Sequence, residues 1–407
     1  MMVEASGPRL VLPAVLTGDD AGQDRSEVRS DRPLRIIMTV NAAWNIWNFR
    51  RPLVSALIAD GHEVTVLAPD DEFAAKLTGL GAKFIPLPMQ LKSLNPASHV
   101  ALAWRMRRMF AKFQPDAVLS YTIKNNIYGA FAARSLGQQF IPNVTGLGTA
   151  FLSGGILQTL AQLLYRSAFA GLPVVFFQNE DDRDLFLGKG LLQPRQARLL
   201  PGSGIDLAHF AASPYPHAGR PPVFLMIARL LRQKGVEEYV EAARLVRNRY
   251  PNARFQLLGA ADAANRSAIN LDTVEAWEHT HGIEYLGTSQ DVRAQIADAN
   301  CVVLPSYREG APRTLIEAAA MARPVIATDV PGCRSVVDDG VSGILCPPRD
   351  AAGLAAACIR FLELDQAERE AMGQAGRAKM EREFDQELIA RAYREVIGQV
   401  MEAAPSA

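Results

Sequence analysis

The sequence predicts an α/β protein made of two doubly wound parallel-sheet domains that face each other across a cleft. Three observations carry the prediction. Short apolar runs alternate with helical patterns from residue 34 onward; the alternation stops at a proline-rich stretch and then restarts. The third is size, since 407 residues at 49% hydrophobic content exceed what one core absorbs before a chain divides into domains.

Residues 1–32 mix Ser, Asp, Gly and Arg without periodicity and read as a mobile extension. "LRIIMTV" (34–40) is a short apolar run of the kind that forms a buried parallel strand. "NAAWNIWNFR" (41–50) reads as the loop after it and "RRPLVSALIADG" as the first helix. Strand "EVTVLAP", helix "EFAAKLTGLG", strands "KFIPLP" and "DAVLSYT", helix "NIYGAFAARSLG", and strands "QFIPNVTG" and "PVVFFQN" complete a first domain over 33–212. Strands interleaved with helices of this length imply right-handed βαβ units and a sheet covered on both faces. "AASPYPHAGRPP" (211–222), with four prolines, suits a hinge. The pattern restarts with "VFLMIARL" and runs through "CVVLP" and "PVIATD" in a second domain over 220–382. The tail within 383–407, "FDQELIARAYREVIGQVMEA", is one amphipathic helix.

Forty-three basic and 43 acidic residues cancel, so no global field draws the chain to nucleic acid. The four cysteines form no C-x2-C pair, which argues against a zinc site or a disulfide framework and for reduced, cytoplasmic thiols. No apolar run approaches the roughly 20 residues that span a bilayer, and the start of the chain lacks a basic segment ahead of a long apolar one. A soluble protein without an export signal is the expectation.

In open parallel sheets ligands bind beyond the carboxyl ends of the strands, so the loops there are where chemistry is sought. "SYREGAPRTLIEA" (306–318) follows "CVVLP" and places Glu309 and Glu317 on either side of a Gly-Ala-Pro corner. Pro312 fits the first helical position, which sets the amides around Ala311, Arg313 and Thr314 at a helix start suited to phosphate. A carboxylate accepts two hydroxyl hydrogen bonds at once, as vicinal sugar hydroxyls require. The plainer alternative is a capping glutamate beside a surface one. "ARLLRQKGVEEYV" follows the first strand of the second domain, and its Arg229 and Lys234 are spaced to straddle a diphosphate, unless both are simply solvated. "NEDDRD" (179–184) reads as the acidic first turn of a helix rather than a metal site. "GLGTAFLSGG" (146–155) is too irregular for a dinucleotide fingerprint, and no G-x-G-x-x-G follows the first strand, which argues against a nicotinamide or flavin.

From Phe73 to Pro115 there is no acidic residue but seven basic ones, among them Lys92, Arg105, Arg107, Arg108 and Lys112. On a helical projection of 102–113, Arg105, Arg108 and Lys112 fall together with Trp104 beside them. That pattern suits the headgroup layer of an anionic membrane; an ordinary solvated basic face is the alternative.

The run "PSYREGAPRTLIEAAAMARPVIATDVPGCRSVVDDGVSGILCPP" resembles the retaining family-4 glycosyltransferases of the GT-B fold. The similarity extends through "ARLLRQKG", "LLGAADAANRSAI", "TIKNNIYGAFAARSLG" and "LPGSGIDLAHF", over roughly residues 34 to 400, and is nearest to the bacterial subgroup that extends polyprenyl-diphosphate-linked glycans for capsule, O-antigen or exopolysaccharide. The resemblance implies two Rossmann-like domains, with the C-terminal helix crossing back to the first. It implies that Glu309 contacts the donor sugar and Glu317 the nucleotide ribose. Arg229 and Lys234 would neutralise the leaving diphosphate, aided by Gly310, Ala311, Pro312 and Thr314, with Gly259 also at the donor. No metal or other cofactor is implied. The partners would be a nucleotide-sugar, UDP- rather than GDP-linked, a lipid-linked saccharide, and the inner face of an anionic membrane to which the enzyme binds peripherally. A hexosyl- or N-acetylhexosaminyltransferase is therefore expected.

Two departures from the family's pattern bear on the acceptor side. Bulky Trp44 and Trp47 stand where many members carry a Gly-rich loop, either for acceptor contacts or for packing at the cleft edge. Lys124 and Asn125 stand where many present a histidine, and Lys124 is read as assisting catalysis. Competing readings are a nucleotide-sugar epimerase or hydrolase on the same fold, and a catalytically silent glycan- or lipid-binding module.

Overall fold

A computed structural model describes residues 32–403, apart from 91–92, 94, 148–150, 152–154, 262–264 and 266. The extension read over 1–32 lies outside the described residues except for Arg32, which pairs with Asp116 at 2.7 Å; Lys92 also lies outside them.

Seven parallel strands form the first sheet: β1 Arg35–Thr39, β2 Glu63–Ala68, β3 Lys83–Pro86, β4 Ala117–Tyr121, β5 Gln139–Val144, β6 Val175–Phe177 and β7 Ala197–Leu199, in the order β3-β2-β1-β4-β5-β6-β7. Successive strand residues point to opposite faces. Ile36 and Met38 accordingly enter one core with helices α1 (Ala43–Ala59) and α2 (Ala74–Gly79). Ile37 enters another with α3 (Pro96–Phe113), α4 (Ile123–Arg134), α5 (Gly155–Phe169) and α6 (Glu180–Gly188). Both faces are covered, which is why these strands read as continuous apolar runs.

The second sheet has six parallel strands, β8 Val223–Ile227, β9 Arg254–Leu258, β10 Ile283–Tyr285, β11 Cys301–Leu304, β12 Val325–Thr328 and β13 Gly343–Cys346, in the order β10-β9-β8-β11-β12-β13. Helices α7 (Val236–Arg247) and α8 (Leu271–His281) pack into one of its cores, and α9 (Arg293–Asp298), α10 (Arg313–Ala320) and α11 (Cys333–Val336) into the other. α12 (Ala351–Glu363) and α13 (Gln366–Lys379) follow, then α14 (Gln386–Glu402). α14 returns to the first sheet, where Ile389, Tyr393, Val396 and Ile397 share the core of β1 and β2, and Arg394 pairs with Asp60 at 2.6 Å.

The chain therefore passes between the sheets twice, and the two passages are stitched together. Ile205 N donates to Phe384 O at 2.8 Å, and Gln386 N donates to Ile205 O at 3.1 Å. The proline-rich stretch is fastened to the second sheet by wholly buried Arg323, which donates to Ser213 O at 3.0 Å and Pro214 O at 2.5 Å.

One element differs from the sequence reading. Residues 41–50 are not a loop: helix α1 starts at Ala43 and carries both tryptophans. No Gly or Pro interrupts the segment, and Ala43, Ile46, Arg50, Leu53, Val54 and Leu57 recur at helical spacing on the buried face.

Candidate active site at the facing strand ends

The order of the second sheet reverses between β8 and β11, so the loops after these two strands flank the switch point where ligands of such sheets bind. Arg229 stands in the loop after β8, and Lys234 closes the 3-10 turn Arg232–Lys234. Gly235 follows in the left-handed region, φ +75°, and a Cβ there would lie 2.0 Å from Pro305 O. Only glycine permits that approach, and it brings the two loops together. Lys234 Nζ meets Glu309 Oε1 at 2.5 Å, with both side chains largely buried.

The Glu309 loop is braced throughout. Thr328 Oγ1 donates to Ser306 O, Tyr307 N donates to Gln233 O at 3.0 Å, and Tyr307 Oη donates to Glu238 at 2.6 Å. Behind it Gly332, φ +78°, lets the chain pass so close that a Cβ would sit 2.4 Å from Gly310 O and 2.7 Å from Glu309 O. Pro312 is the N-cap of α10 rather than its first residue, so the helix begins at Arg313. Leu315 N is satisfied by Pro312 O at 3.1 Å, which leaves the amides of Arg313 and Thr314 at the helix start without an intrahelical acceptor. Glu317 lies one turn inside, held by Arg313 Nε at 2.7 Å. Burial pushes its carboxyl above the ordinary range, against the opposing pull of Arg313.

The first sheet reaches into this site through α6. Asn179 caps the helix by accepting from Asp182 N at 2.8 Å, and its Nδ2 donates to Gly310 O at 2.9 Å. Asp182, 1% exposed, takes the guanidinium of Arg308, the residue before Glu309; Asp181 pairs with Arg334 at 2.9 Å. The acidic stretch is the first turn of a helix, as read, and its carboxylates clasp the opposite domain. α1 approaches from the other side. Exposed Trp44 meets Phe49 edge-on at 5.2 Å, and the Arg313 guanidinium lies 6.0 Å from the Phe49 ring.

The structure thus gathers Glu309, Lys234, Gly310, Ala311, Pro312, Thr314 and Glu317 along two adjoining loops and one helix start, with Arg229 in the same β8 loop. Thr314 Oγ1 is tied to Ile227 O at 3.0 Å. Gly259 donates its amide to Gly287 O at 2.8 Å and accepts from Tyr285 Oη at 2.8 Å, and a Cβ there would lie 1.7 Å from Ala228 O, against the Arg229 loop. Lys124 stands at the start of α4. Its ammonium donates to Gln90 O at 2.6 Å and Ser93 O at 2.8 Å, and partial burial lowers its pKa. It straps the segment ahead of α3. The two tryptophans part company: Trp44 stays exposed beside the cleft, whereas Trp47 packs against the first core under Arg51 and Lys76.

On α3, Arg105 donates to Pro88 O at 2.8 Å and Arg107 to Ser135 Oγ at 3.1 Å. Arg108 stands 5.6 Å from the ring of Trp104, and Lys112 5.2 Å from that of Phe113. These lie in the outer helix layer, apart from Glu309. Sequence reasoning missed Asn179, Asp182 and Arg308; the signal was present, because an acidic helix start and an arginine beside Glu309 are complementary charges. Among the described residues, no cluster of His, Cys, Asp or Glu is grouped to hold a metal ion, and the four buried cysteines are free.

Residues 46–203 match the Glycosyl transferase 4-like domain, and residues 221–364 match Glycosyl transferases group 1. The chain is 26% identical over 389 residues to the N,N'-diacetylbacillosaminyl-diphospho-undecaprenol alpha-1,3-N-acetylgalactosaminyltransferase of Campylobacter jejuni, covering 90% of this chain and 99% of that one. It is 30% identical over 206 residues to a putative colanic acid biosynthesis glycosyltransferase of Escherichia coli, 49% of this chain and 50% of that one. Among solved structures, Anabaena HepE in complex with UDP superposes with a TM-score of 0.73 at 17% identity, covering 90% of this chain and all of that one. Sucrose-phosphate synthase from Thermosynechococcus elongatus gives 0.75 at 21% identity over 91% of this chain and all of that one. At these identities the structural likeness speaks for the fold alone. Two facing doubly wound domains of this kind make up the GT-B fold. With two glycosyltransferase domains matched along most of its length, the chain belongs to the family-4 glycosyltransferases.

Proposed function

We propose that the enzyme moves a sugar from a nucleotide-sugar, UDP-linked in preference to GDP-linked, onto a polyprenyl-diphosphate-linked saccharide, with retention at the anomeric carbon, during synthesis of a bacterial surface polysaccharide. The observation that carries this is the Lys234–Glu309 pair beside the open start of α10, backed by the full-length likeness to the Campylobacter N-acetylgalactosaminyltransferase. Lys234, Arg229 and the amides at the start of α10 are donors of the kind that stabilise charge building on a leaving diphosphate. Glu309 accepts hydroxyl hydrogen bonds from the donor sugar, and Glu317, steadied by Arg313, accepts them from the ribose. No second carboxylate faces Glu309 among the described contacts, which favours same-face transfer in which the departing phosphate takes the acceptor proton. Basic α3 with Trp104 holds the enzyme at an anionic membrane, where the lipid-linked acceptor resides. The test is mass spectrometry of reactions with UDP- and GDP-sugars and an undecaprenyl-diphosphate-linked acceptor. Glycosylated lipid from wild type and none from Glu309→Ala supports the reading; free sugar or epimer formed at matching rates without acceptor overturns it.

A further inference from the structure

Helix α5 carries an apolar edge that the proposed reaction does not use. Ile156, Leu160 and Leu163 fall one and two turns apart on one line of the helix and are 90%, 50% and 58% exposed, while Tyr165, Ala168 and Phe169 on the opposite side enter the core. Single exposed apolar residues are ordinary, but an aligned row of three marks an interaction surface. α3 presents a similar row, with Val100 71% and Trp104 59% exposed. Both helices pack on α4 in one layer of the first sheet, and Arg134 at the end of α4 fixes the end of α5 by donating to Ser167 O at 2.9 Å and Ala168 O at 2.6 Å.

Charge identifies the occupant. Helices α3, α4 and α5, which share that layer, carry seven basic residues and no acidic one. α5 itself has no acid and one arginine, Arg166. An apolar row set in cationic surroundings matches the headgroup and upper acyl region of an anionic bilayer, where apolar side chains insert and cations meet phosphates. No helix among the described residues is long and apolar enough to cross a membrane, so such contact is peripheral.

We propose that α5 is a membrane-inserting element: its Ile156–Leu160–Leu163 edge enters an anionic lipid surface alongside α3 and fixes the orientation of the first domain on the bilayer. This rests on the membrane-located acceptor proposed above and extends the apolar contact that Val100 and Trp104 offer on α3. The test is co-sedimentation with phosphatidylcholine vesicles, with and without phosphatidylglycerol, using wild type, Ile156→Ser/Leu160→Ser/Leu163→Ser, and Arg105→Ala/Arg107→Ala/Arg108→Ala. The expected result is binding that requires phosphatidylglycerol, partly survives high salt in wild type, and falls about tenfold in the serine variant. The arginine variant loses the salt-sensitive part. Turnover of a short-chain, water-soluble acceptor should be unchanged in the serine variant, which also checks that it folds. Wild-type-like vesicle binding by the serine variant overturns the inference. So does a wild-type dimer that the serine variant dissolves without loss of vesicle binding, since the edge then belongs to a second copy. Wild type that turns over the soluble acceptor but ignores both vesicles overturns the inference and leaves sugar transfer standing; vesicle binding without any transfer does the reverse.

Discussion

Lys234 and Glu309 form an ion pair at 2.5 Å across two loops that belong to different βα units of the same sheet. Each side chain sets the position of the other. Glu309→Ala should lower kcat by at least about 100-fold, the scale of losing one group aimed at transition-state charge. Lys234, left partly buried without its partner, should cost about 1–2 kcal/mol of stability. Steady-state kinetics and thermal melts separate the two effects, and full turnover by a folded variant removes Glu309 from the reaction.

Glu317 gives a pH signature. Its folded carboxyl is raised by burial, so its contribution favours folding at acid pH and declines as pH rises through the folded value. Glu317→Gln should therefore melt at or above wild type at neutral pH, with the gap closing toward the ordinary carboxylate range near pH 4.3. KM for the donor should rise about tenfold through loss of an acceptor for ribose hydroxyls. A gap that widens on acidification contradicts the sign.

The clasp between Asp182 and Arg308 holds the Glu309 loop against the first domain. Arg308→Ala leaves a fully buried carboxylate without its cation and should cost about 2–3 kcal/mol, the lower side of the usual range because Arg308 is partly exposed. Adding Asp182→Asn should recover part of the stability but not the activity. Chemical denaturation of the three variants reads the first, and kcat the second.

Gly332→Ala tests the brace behind Glu309. With φ +78° and Gly310 O 2.4 Å from the added Cβ, the alanine must displace the loop. Activity should drop more than tenfold while stability falls by only about 1–2 kcal/mol. Retained activity would mean that the loop tolerates displacement.

Much of the fold was legible because its signals are local. Buried strands such as β1 and β4 read as apolar runs, and Pro-rich 211–222 announced a break. Residues 41–50 were misread because Trp44, Trp47 and three asparagines obscure the spacing of Ala43, Ile46 and Arg50. At the site, Glu309, Lys234 and Glu317 could be picked out from their places after strands. The links from Asn179 to Gly310 and from Asp182 to Arg308 span 131 and 126 residues, and no periodicity records a partner so distant. Lys124 illustrates the same limit, since what its ammonium reaches depends on a segment 31 to 34 residues away.

The doubled passage between the sheets, with Ile205 bonded to Phe384 and Gln386, has a mechanical meaning. Two single linkers far apart would lock the domains, and one alone would let them tumble. Two lying side by side constrain the halves as one strap would, leaving rotation about that line as the least hindered direction. The halves are thus joined along a single line, and the contacts made away from it, Asn179 to Gly310 and Asp182 to Arg308, are polar ones between α6 and the Glu309 loop.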